Sequence, residues 1–356
     1  MLRVAHLLPN MVTGGRERIV ADLCRDAAAH GIAPYVVAYD PATGPARQIQ
    51  LFDTPFQAID RRDPAFVPKL RAWLCANRID VLHAQGHVAA ALARPALGTV
   101  PMIATLHMAL GSGWRWALPI ARGLRAAHAV TTVSHDLAAR FRPLARRPIV
   151  VIPTGVDLKR FPPAGPRSPG APFTIGIAAR LHPIKRHEDA IAALRLLHDR
   201  GVRCRLSIAG QGPRAAALAA LAAGLDVVFA GDVADMPAWL AGLDAFLLVS
   251  DHEGTPAALL EAMASALPCI ASNVGGIPTL VGDAALLVPP RAPRRIADAL
   301  EGLILQPALR LHLGTAARAR ALGHSLHDQN IAYANLYRAS ALSSDTHLNI
   351  RQSRDR

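Results

Sequence analysis

Aromatic side chains are scarce in this chain, 4% of 356 residues. Single-stranded nucleic acid is held largely by bases stacked on aromatic rings, so this shortage argues against a nucleic-acid partner despite an excess of positive charge. Cysteine is scarcer still. Cys24, Cys75, Cys204 and Cys269 lie far apart without metal-ligand spacing, which leaves reduced thiols rather than a zinc module or a disulfide framework. Acid is short as well: 26 Asp and Glu face 39 Lys and Arg, a formal charge of +13. Uninterrupted apolar runs are missing. Residues 95–114 carry no charge, but Pro95, Pro101, His107 and three glycines break the run that a membrane span needs. The opening MLRVAHLLPNMVTGG lacks the charged region and the small-residue cleavage site of a secretory signal, so a cytoplasmic chain is expected.

What the sequence does contain is alternation. Its length predicts two α/β domains, and short apolar runs ending in Gly or polar turns alternate with Ala/Leu-rich helical stretches, the pattern of parallel sheets. Strands are predicted at 3–8, 35–39, 81–83, 102–106, 129–133 and 150–152, then at 173–178, 205–209, 227–230, 245–249, 269–271 and 286–288. The expected organisation is a first domain over 1–161, a Pro-rich linker over 162–172, a second domain over 173–325, a terminal helix over 326–340 able to pack back on the first domain, and a disordered tail over 341–356. Positive charge is concentrated early. Residues 1–150 hold a net +9 and the remainder +4, with clusters at Arg61-Arg62, Arg122/Arg125 and Arg140/Arg142/Arg146/Arg147. Such a face suits an anionic lipid surface; a plain solvated basic face accounts for it too.

The densest chemistry lies in residues 246–270, FLLVSDHEGTPAALLEAMASALPCI. Phe246 to Val249 reads as a strand buried on both faces, Ser250 to Thr255 as a polar loop, and Thr255-Pro256 as a helix cap followed by an N1 proline. Glu253 then falls in the loop and Glu261 inside the helix. A helix start aims unpaired N–H groups and a positive dipole end at the space above the strand, which suits a phosphate. In residues 176–196, Arg180 and Lys185 occupy the loop after the second domain's first strand. A guanidinium fork and an ammonium together can neutralise a diphosphate without a metal ion, although cations are also common in solvated loops. Gly14 and Gly15, between the first strand and the first helix, let backbone approach a ligand or simply make a tight turn. His107 closes a predicted strand at its carboxyl end, where α/β sheets place functional groups and where structural histidines also occur. Gly210, Gly212 and Ala215 spell a GxGxxA dinucleotide pattern, but Pro213 removes an N–H from the turn and no acid stands clearly at a strand end to hold a ribose.

Taken in order, these segments resemble the family 4 retaining glycosyltransferases of GT-B fold over nearly the whole chain. The matching runs are ARLHPIK, SIAGQGP, FAGDV, LDAFLLVSDHEGTPAALLEAMASALPCIAS, GGIP and LLVPP in the second half, with TGGRERIV and VIPTGVD in the first. The resemblance implies an α/β architecture of two doubly wound Rossmann-like domains facing across a cleft. It also implies transfer of a hexose-type sugar from a nucleotide diphosphate donor to a glycan or lipid-linked precursor of cell-surface polysaccharide or lipopolysaccharide. Retention at the anomeric carbon and no metal or other cofactor belong to the same expectation. By resemblance, Arg180 and Lys185 bind the donor diphosphate, Glu261 the ribose hydroxyls, and Glu253 the sugar hydroxyls, helped by backbone N–H groups at Gly254 and Thr255. Gly15 approaches the diphosphate or the acceptor, and His107 contacts the transferred sugar. Three positions depart from the family pattern: Thr279 replaces a common glutamate, Gln85 a frequent histidine, and Arg186 a common glycine. A catalytically silent nucleotide-sugar-binding partner subunit and a nucleotide-sugar epimerase of the same fold are the rival readings. The basic first domain and the apolar segment 106–120 add the expectation of an acceptor at an anionic membrane face, peripheral on its inner side.

Overall fold

The computed structural model describes residues 1–12, 14–41, 51, 53–108, 116–165 and 170–352, with side chains through residue 342. The chain forms two bodies, one of Met1–Thr154 with His327–Arg356 and one of Gly155–Leu326. The first contains β1 (Leu2–Leu8), β2 (Ile32–Ala38), β3 (Phe56–Ala58), β4 (Val81–Gln85), β5 (Met102–Leu106), β6 (Ala129–Thr132) and β7 (Ile149–Val151). They form one parallel sheet in the order β3-β2-β1-β4-β5-β6-β7. The second contains β8 (Thr174–Ala178), β9 (Arg205–Ala209), β10 (Val227–Gly231), β11 (Ala245–Leu248), β12 (Cys269–Ser272) and β13 (Leu286–Val288). Their order is β10-β9-β8-β11-β12-β13, again parallel throughout.

Central strands such as β5 and β11 are buried at every residue, because helices cover both faces of a parallel sheet and no side can stay wet. On one face of the first sheet, Leu70, Leu74, Ala90, Leu106, Ile120 and Phe141 share a core. On the other, Val4, Ile19, Val81 and Ile103 pack with Tyr333 and Tyr337 of the C-terminal helix Leu326–Gln352. The second sheet has two cores of its own, one with Ile177, Leu194, Leu206 and Leu300 and one with Phe246, Leu248, Leu260 and Met263.

Each sheet reverses its strand order once, between β1 and β4 and between β8 and β11. In open α/β sheets, ligands bind beyond the carboxyl ends of the strands at that switch point. The loop after β8 carries Arg180 and Lys185; the loop after β11 carries Glu253.

The architecture differs from the sequence reading at an edge strand, at the division between bodies and at the C-terminal helix. β3 is an extra edge strand, exposed at all its residues, so it lacks the apolar pattern that reveals a strand. The division between bodies falls at Thr154/Gly155, ahead of the Pro-rich stretch. Val156 and Phe161 are anchored in a core of the second body, and the Ala164 N–H bonds the Ser265 carbonyl at 2.9 Å; residues 166–169 of the stretch lie outside the described residues. The C-terminal helix runs to Gln352 rather than ending at 340, since no Gly or Pro interrupts 326–352. Residues 353–356 of the expected disordered tail lie outside the described residues.

Candidate functional site

In the second body the loops after β8 and β11 are locked together. The Asp251 N–H donates to the Ile184 carbonyl at 2.9 Å, and Lys185 Nζ lies 2.6 Å from Glu253 Oε1. Both side chains are mostly withdrawn from water, 21% and 8% exposed. Glu253 Oε1 also accepts the hydroxyl of Ser250 at 2.7 Å, while the Ser250 N–H is held by Ser272 Oγ at 3.1 Å. From behind, the GGIP turn supports the Glu253 backbone. Gly275 sits at φ +54 and its missing Cβ would lie 1.9 Å from the Glu253 carbonyl oxygen, a separation that only glycine permits.

Gly254 is buried and Thr255 half-buried at the head of helix Ala257–Ala264. This helix starts one residue later than the Thr255-Pro256 pattern predicts. Pro256 is the cap residue and makes no side-chain cap bond of its own, and the first N–H groups of a helix point beyond its start, where an anion is favoured. Glu261 lies inside this helix and is half-buried.

Arg180 is exposed and its guanidinium makes no hydrogen bond or ion pair with any described residue. Its loop is held by the turn after β9: the Leu181 N–H donates to the Gln211 carbonyl at 2.9 Å and the Arg214 N–H to the Leu181 carbonyl at 3.2 Å. A Cβ at Gly210 would stand 2.0 Å from the Ala179 carbonyl oxygen, and one at Gly212 would stand 2.5 Å from that of Leu181. The GxGxxA glycines are therefore accounted for by close packing of this turn on the Arg180 loop, without a dinucleotide.

Arg186 adopts φ 42, ψ 37, the left-handed region that glycine enters freely. This is the position where the family commonly has glycine. The arginine is held by Asp189 at 2.9 Å and Glu188 at 3.0 Å, and it approaches Asp251 at 4.0 Å. Asp251 in turn grips Arg291 at 2.8 Å; that guanidinium, with Arg186 behind it, holds the Asp251 carboxyl below its usual range. His187, next along the chain, is buried and held down to about 4, first by burial and then by Lys185 and Arg214.

In the first body, Gly15 opens helix Gly15–Asp26 directly after extended Gly14. A Cβ there would meet nothing within 4 Å, so the fold's own packing does not demand this glycine. Arg16 pairs with Glu17 at 2.5 Å. His107 follows β5, half-buried, with Nε2 2.8 Å from Gln85 Oε1. Burial first, and the positive charge of Arg16 second, push its pKa down to about 3, so the ring is neutral at ordinary pH. Thr13, of the predicted Thr-Gly-Gly turn, lies outside the described residues.

Of the predicted site residues, Lys185 and Glu253 are in direct contact, and Gly254, Thr255 and Glu261 belong to the same strand-loop-helix unit. Sequence reasoning missed Ser250, Asp251, Gly275 and the bond from His107 to Gln85. A buried serine in a polar loop has no sequence signature, but the paired glycines of GGIP mark a close backbone approach.

Two parallel, doubly wound bodies, each with functional loops at a switch point, have the architecture of the GT-B glycosyltransferases. Residues 172–306 match the family described as Glycosyl transferases group 1, and residues 13–160 match Glycosyltransferase Family 4. The D-inositol 3-phosphate glycosyltransferase of Frankia alni is 30% identical, over 87% of this chain and 90% of that protein. The chain belongs to the family 4, group 1 glycosyltransferases, which act in polysaccharide or glycan synthesis. A GDP-mannose-dependent phosphatidylinositol dimannoside mannosyltransferase of Mycobacterium tuberculosis is 34% identical over 48% of this chain and 47% of that protein. In fold, the chain matches the structure of Anabaena HepE in complex with UDP-glucose, with TM-score 0.80 and 19% identity, covering 95% of this chain and 100% of that one. Among the described residues, no helix is long and apolar enough to cross a membrane.

Proposed function

We propose that this protein is a retaining hexosyltransferase that takes its sugar from a nucleotide diphosphate donor and delivers it to a lipid-linked glycan precursor. The observation that carries the reading is the second body's switch point, where Lys185 and Glu253, 2.6 Å apart, stand with Arg180 before the start of helix Ala257–Ala264. A leaving nucleoside diphosphate gains charge as its bond to the sugar breaks, and fixed cations and helix N–H groups stabilise that charge most as it develops. We assign this work to Arg180, Lys185 and the N–H groups at Gly254 and Thr255, with no divalent metal. Glu261 takes the ribose hydroxyls and Glu253 those of the sugar. On the first body, Gly15 leaves room for the diphosphate or the acceptor, and His107 accepts from a hydroxyl of the transferred sugar.

The acceptor oxygen bonds to the anomeric carbon on the face from which the diphosphate departs. The carbon–oxygen bond to phosphate breaks, and a departing phosphate oxygen takes the acceptor's proton. Configuration is thereby retained.

The lipid-linked acceptor rests on the first body's surface. Helix Ala117–Ala126 exposes Leu118, Arg122 and Arg125, with Trp116 exposed just before it, an apolar and basic combination suited to anionic headgroups. Of the apolar segment 106–120 that suggested this surface, residues 109–115 lie outside the described residues.

A thermal-shift panel of UDP-, GDP- and ADP-sugars tests donor binding. The true donor raises apparent stability by about 2.7 kcal/mol at a hundredfold excess over its Kd. Turnover with that donor is expected to survive chelator and to give product of unchanged anomeric configuration by NMR. An inverted product overturns retention, and no transfer with any donor overturns the enzyme reading. Failure of the protein to sediment with anionic vesicles at moderate salt overturns the membrane face alone.

A further inference from the structure

We propose that Gln85 is a positioning residue that fixes the ring tautomer of His107, and that the C-terminal helix holds Gln85 in place through Tyr337 and His83. The inference rests on the assignment of His107 to the transferred sugar, and its first readout does not depend on that assignment.

Gln85 is the last residue of β4 and fully buried. Its amide has two N–H donors and one carbonyl acceptor. The donors face ring nitrogens, His6 Nδ1 at 3.2 Å and His83 Nδ1 at 3.1 Å. The carbonyl oxygen faces His107 Nε2 at 2.8 Å. Since a carbonyl only accepts, the His107 proton belongs on Nε2, which leaves Nδ1 as an acceptor for a hydroxyl.

What prevents the amide from turning over is the set of bonds behind it. His83 Nδ1 lies 2.7 Å from the Tyr337 hydroxyl and His83 Nε2 2.6 Å from Thr105 Oγ1. Thr105 Oγ1 is 2.6 Å from Thr131 Oγ1 and 3.3 Å from the Tyr333 hydroxyl. One set of directions fits these distances, with the single lone pair of His83 Nδ1 shared between Tyr337 and Gln85. Both tyrosines donate, to His83 Nδ1 and to Thr105; His83 donates from Nε2 to Thr105; Thr105 donates to Thr131. His83 Nδ1 is then an acceptor, mainly of the Tyr337 hydroxyl at 2.7 Å, and the N–H side of Gln85, at 3.1 Å, is the side of the amide that can share it. Turning the amide over would set its oxygen against the lone pairs of His83 and His6, and a buried unpaired acceptor costs about 1–3 kcal/mol.

The groups around His107 keep it neutral. Arg16 is the charged side chain acting on it, and His6, His83, Tyr333 and Tyr337 stand behind Gln85. Burial holds His6 down to about 4 and His83 well below its usual value, so both rings are neutral and each keeps an acceptor nitrogen. The chain of bonds places the orientation of a candidate catalytic ring under the control of a helix whose sequence position is more than 200 residues away.

The test uses the full chain labelled with 15N-histidine, with His107→Ala to assign the ring signals. Long-range proton–nitrogen correlation is expected to show His107 protonated at Nε2 in the wild type. In Gln85→Met, which keeps the length and removes the acceptor, the tautomers should mix, with kcat falling about 10–100-fold, the range typical of lost orienting partners, and donor KM holding. Gln85→Glu keeps an acceptor toward Nε2, at the cost of setting its second oxygen against His6 and His83 in place of the lost N–H donors. Its carboxylate raises the His107 pKa, so kcat should recover above neutrality while the acid limb of the pH profile moves up. A folded Gln85→Met with unchanged tautomer and kcat overturns the proposal. So does a Gln85→Glu pH profile that coincides with wild type, which decides the matter should Gln85→Met not fold. If the tautomer follows Gln85 but His107→Ala transfers sugar normally, the positioning stands and the sugar assignment of His107 falls.

Discussion

Replacing Gly275 with alanine tests the site where its geometry is least forgiving. The new Cβ would lie 1.9 Å from the Glu253 carbonyl oxygen, whereas real Cβ contacts essentially never fall below 3.0 Å. One side must therefore yield by about 1 Å, and misplacement on that scale costs a reaction about 100-fold when it reaches the working groups. The obstacle is backbone, so no flexible side-chain end can swing aside. The residue also sits at φ +54, where an L side chain adds about 1–2 kcal/mol. For a body of this size, each kcal/mol corresponds to about 2–4 °C in Tm. We expect Gly275→Ala to fold, to melt about 2–8 °C lower, and to lose about 100-fold in kcat/KM with the donor identified by thermal shift. Gly302→Ala is the control. It lies in helix Pro293–Leu305 and its Cβ would meet nothing within 4 Å, so it should be neutral or stabilising by about 0.5–1 kcal/mol. If Gly275→Ala stays within about threefold of wild type in kcat/KM, a loss of well under 1 kcal/mol, and melts like the control, the support we assign to the Glu253 backbone is wrong.

Three further outcomes are expected. In a double-mutant cycle of Lys185→Met and Glu253→Gln, the partly buried pair should couple by about 1–3 kcal/mol, above the 0–1 of an exposed pair and below a fully buried one; denaturant midpoints measure it, and additive effects would refute the pairing. Tyr337→Phe removes the hydroxyl that bonds buried His83 and should cost about 1–3 kcal/mol, with a histidine spectrum altered at His83 and His107; an unchanged spectrum would count against the network. Acid should destabilise the protein before its carboxylates protonate. His6 and His187 are held at about 4 against an ordinary 6.5, so between those values the unfolded chain binds protons the folded one refuses. Stability is then fully present above about 6.5 and falls as pH drops toward 4, by about 1.4 kcal/mol per pH unit for each ring. Denaturant midpoints that do not move between pH 7 and pH 5 would contradict this.

The fold was legible because strands buried on both faces are nearly pure apolar runs, and such runs stand out from any surroundings. The run Phe246 to Val249 located β11, and the polar loop after it located Glu253. β3 had no such signal, since an exposed edge strand of three residues has no core face to pattern. The loops after β8 and β11 were readable as residue types, but the contact between Lys185 and Glu253, 68 positions apart, is made by the switch between β8 and β11 and has no local trace. Gln85 was visible only as a departure from a family habit. Its meaning came from His6, His83, Thr105 and Tyr337, which four separate elements bring together. The GxGxxA pattern misled for a related reason: glycines mark close approach, and sequence does not say whether the approaching group is a pyrophosphate or, as here, the carbonyls of Ala179 and Leu181.

Backbone strain points to the same place by an independent route. Among the described residues, four that are not glycine have positive φ: Arg78, Arg186, Ala266 and Arg291. Each such position costs about 1–2 kcal/mol, so an unselected chain would relax it. Two of the four, Arg186 and Arg291, face one carboxylate, Asp251, at 4.0 Å and 2.8 Å. Asp251 stands two residues from Glu253 and bonds the Ile184 carbonyl beside Lys185. Ion pairs in the open are worth little, and Arg291 is 66% exposed, so fold stability alone is a poor return for two strained backbones. What they secure is the position of one short loop. Strain maintained where it fixes the Lys185–Glu253 contact is strain spent on geometry, and a leaving diphosphate is stabilised only by charges already in place when its bond breaks.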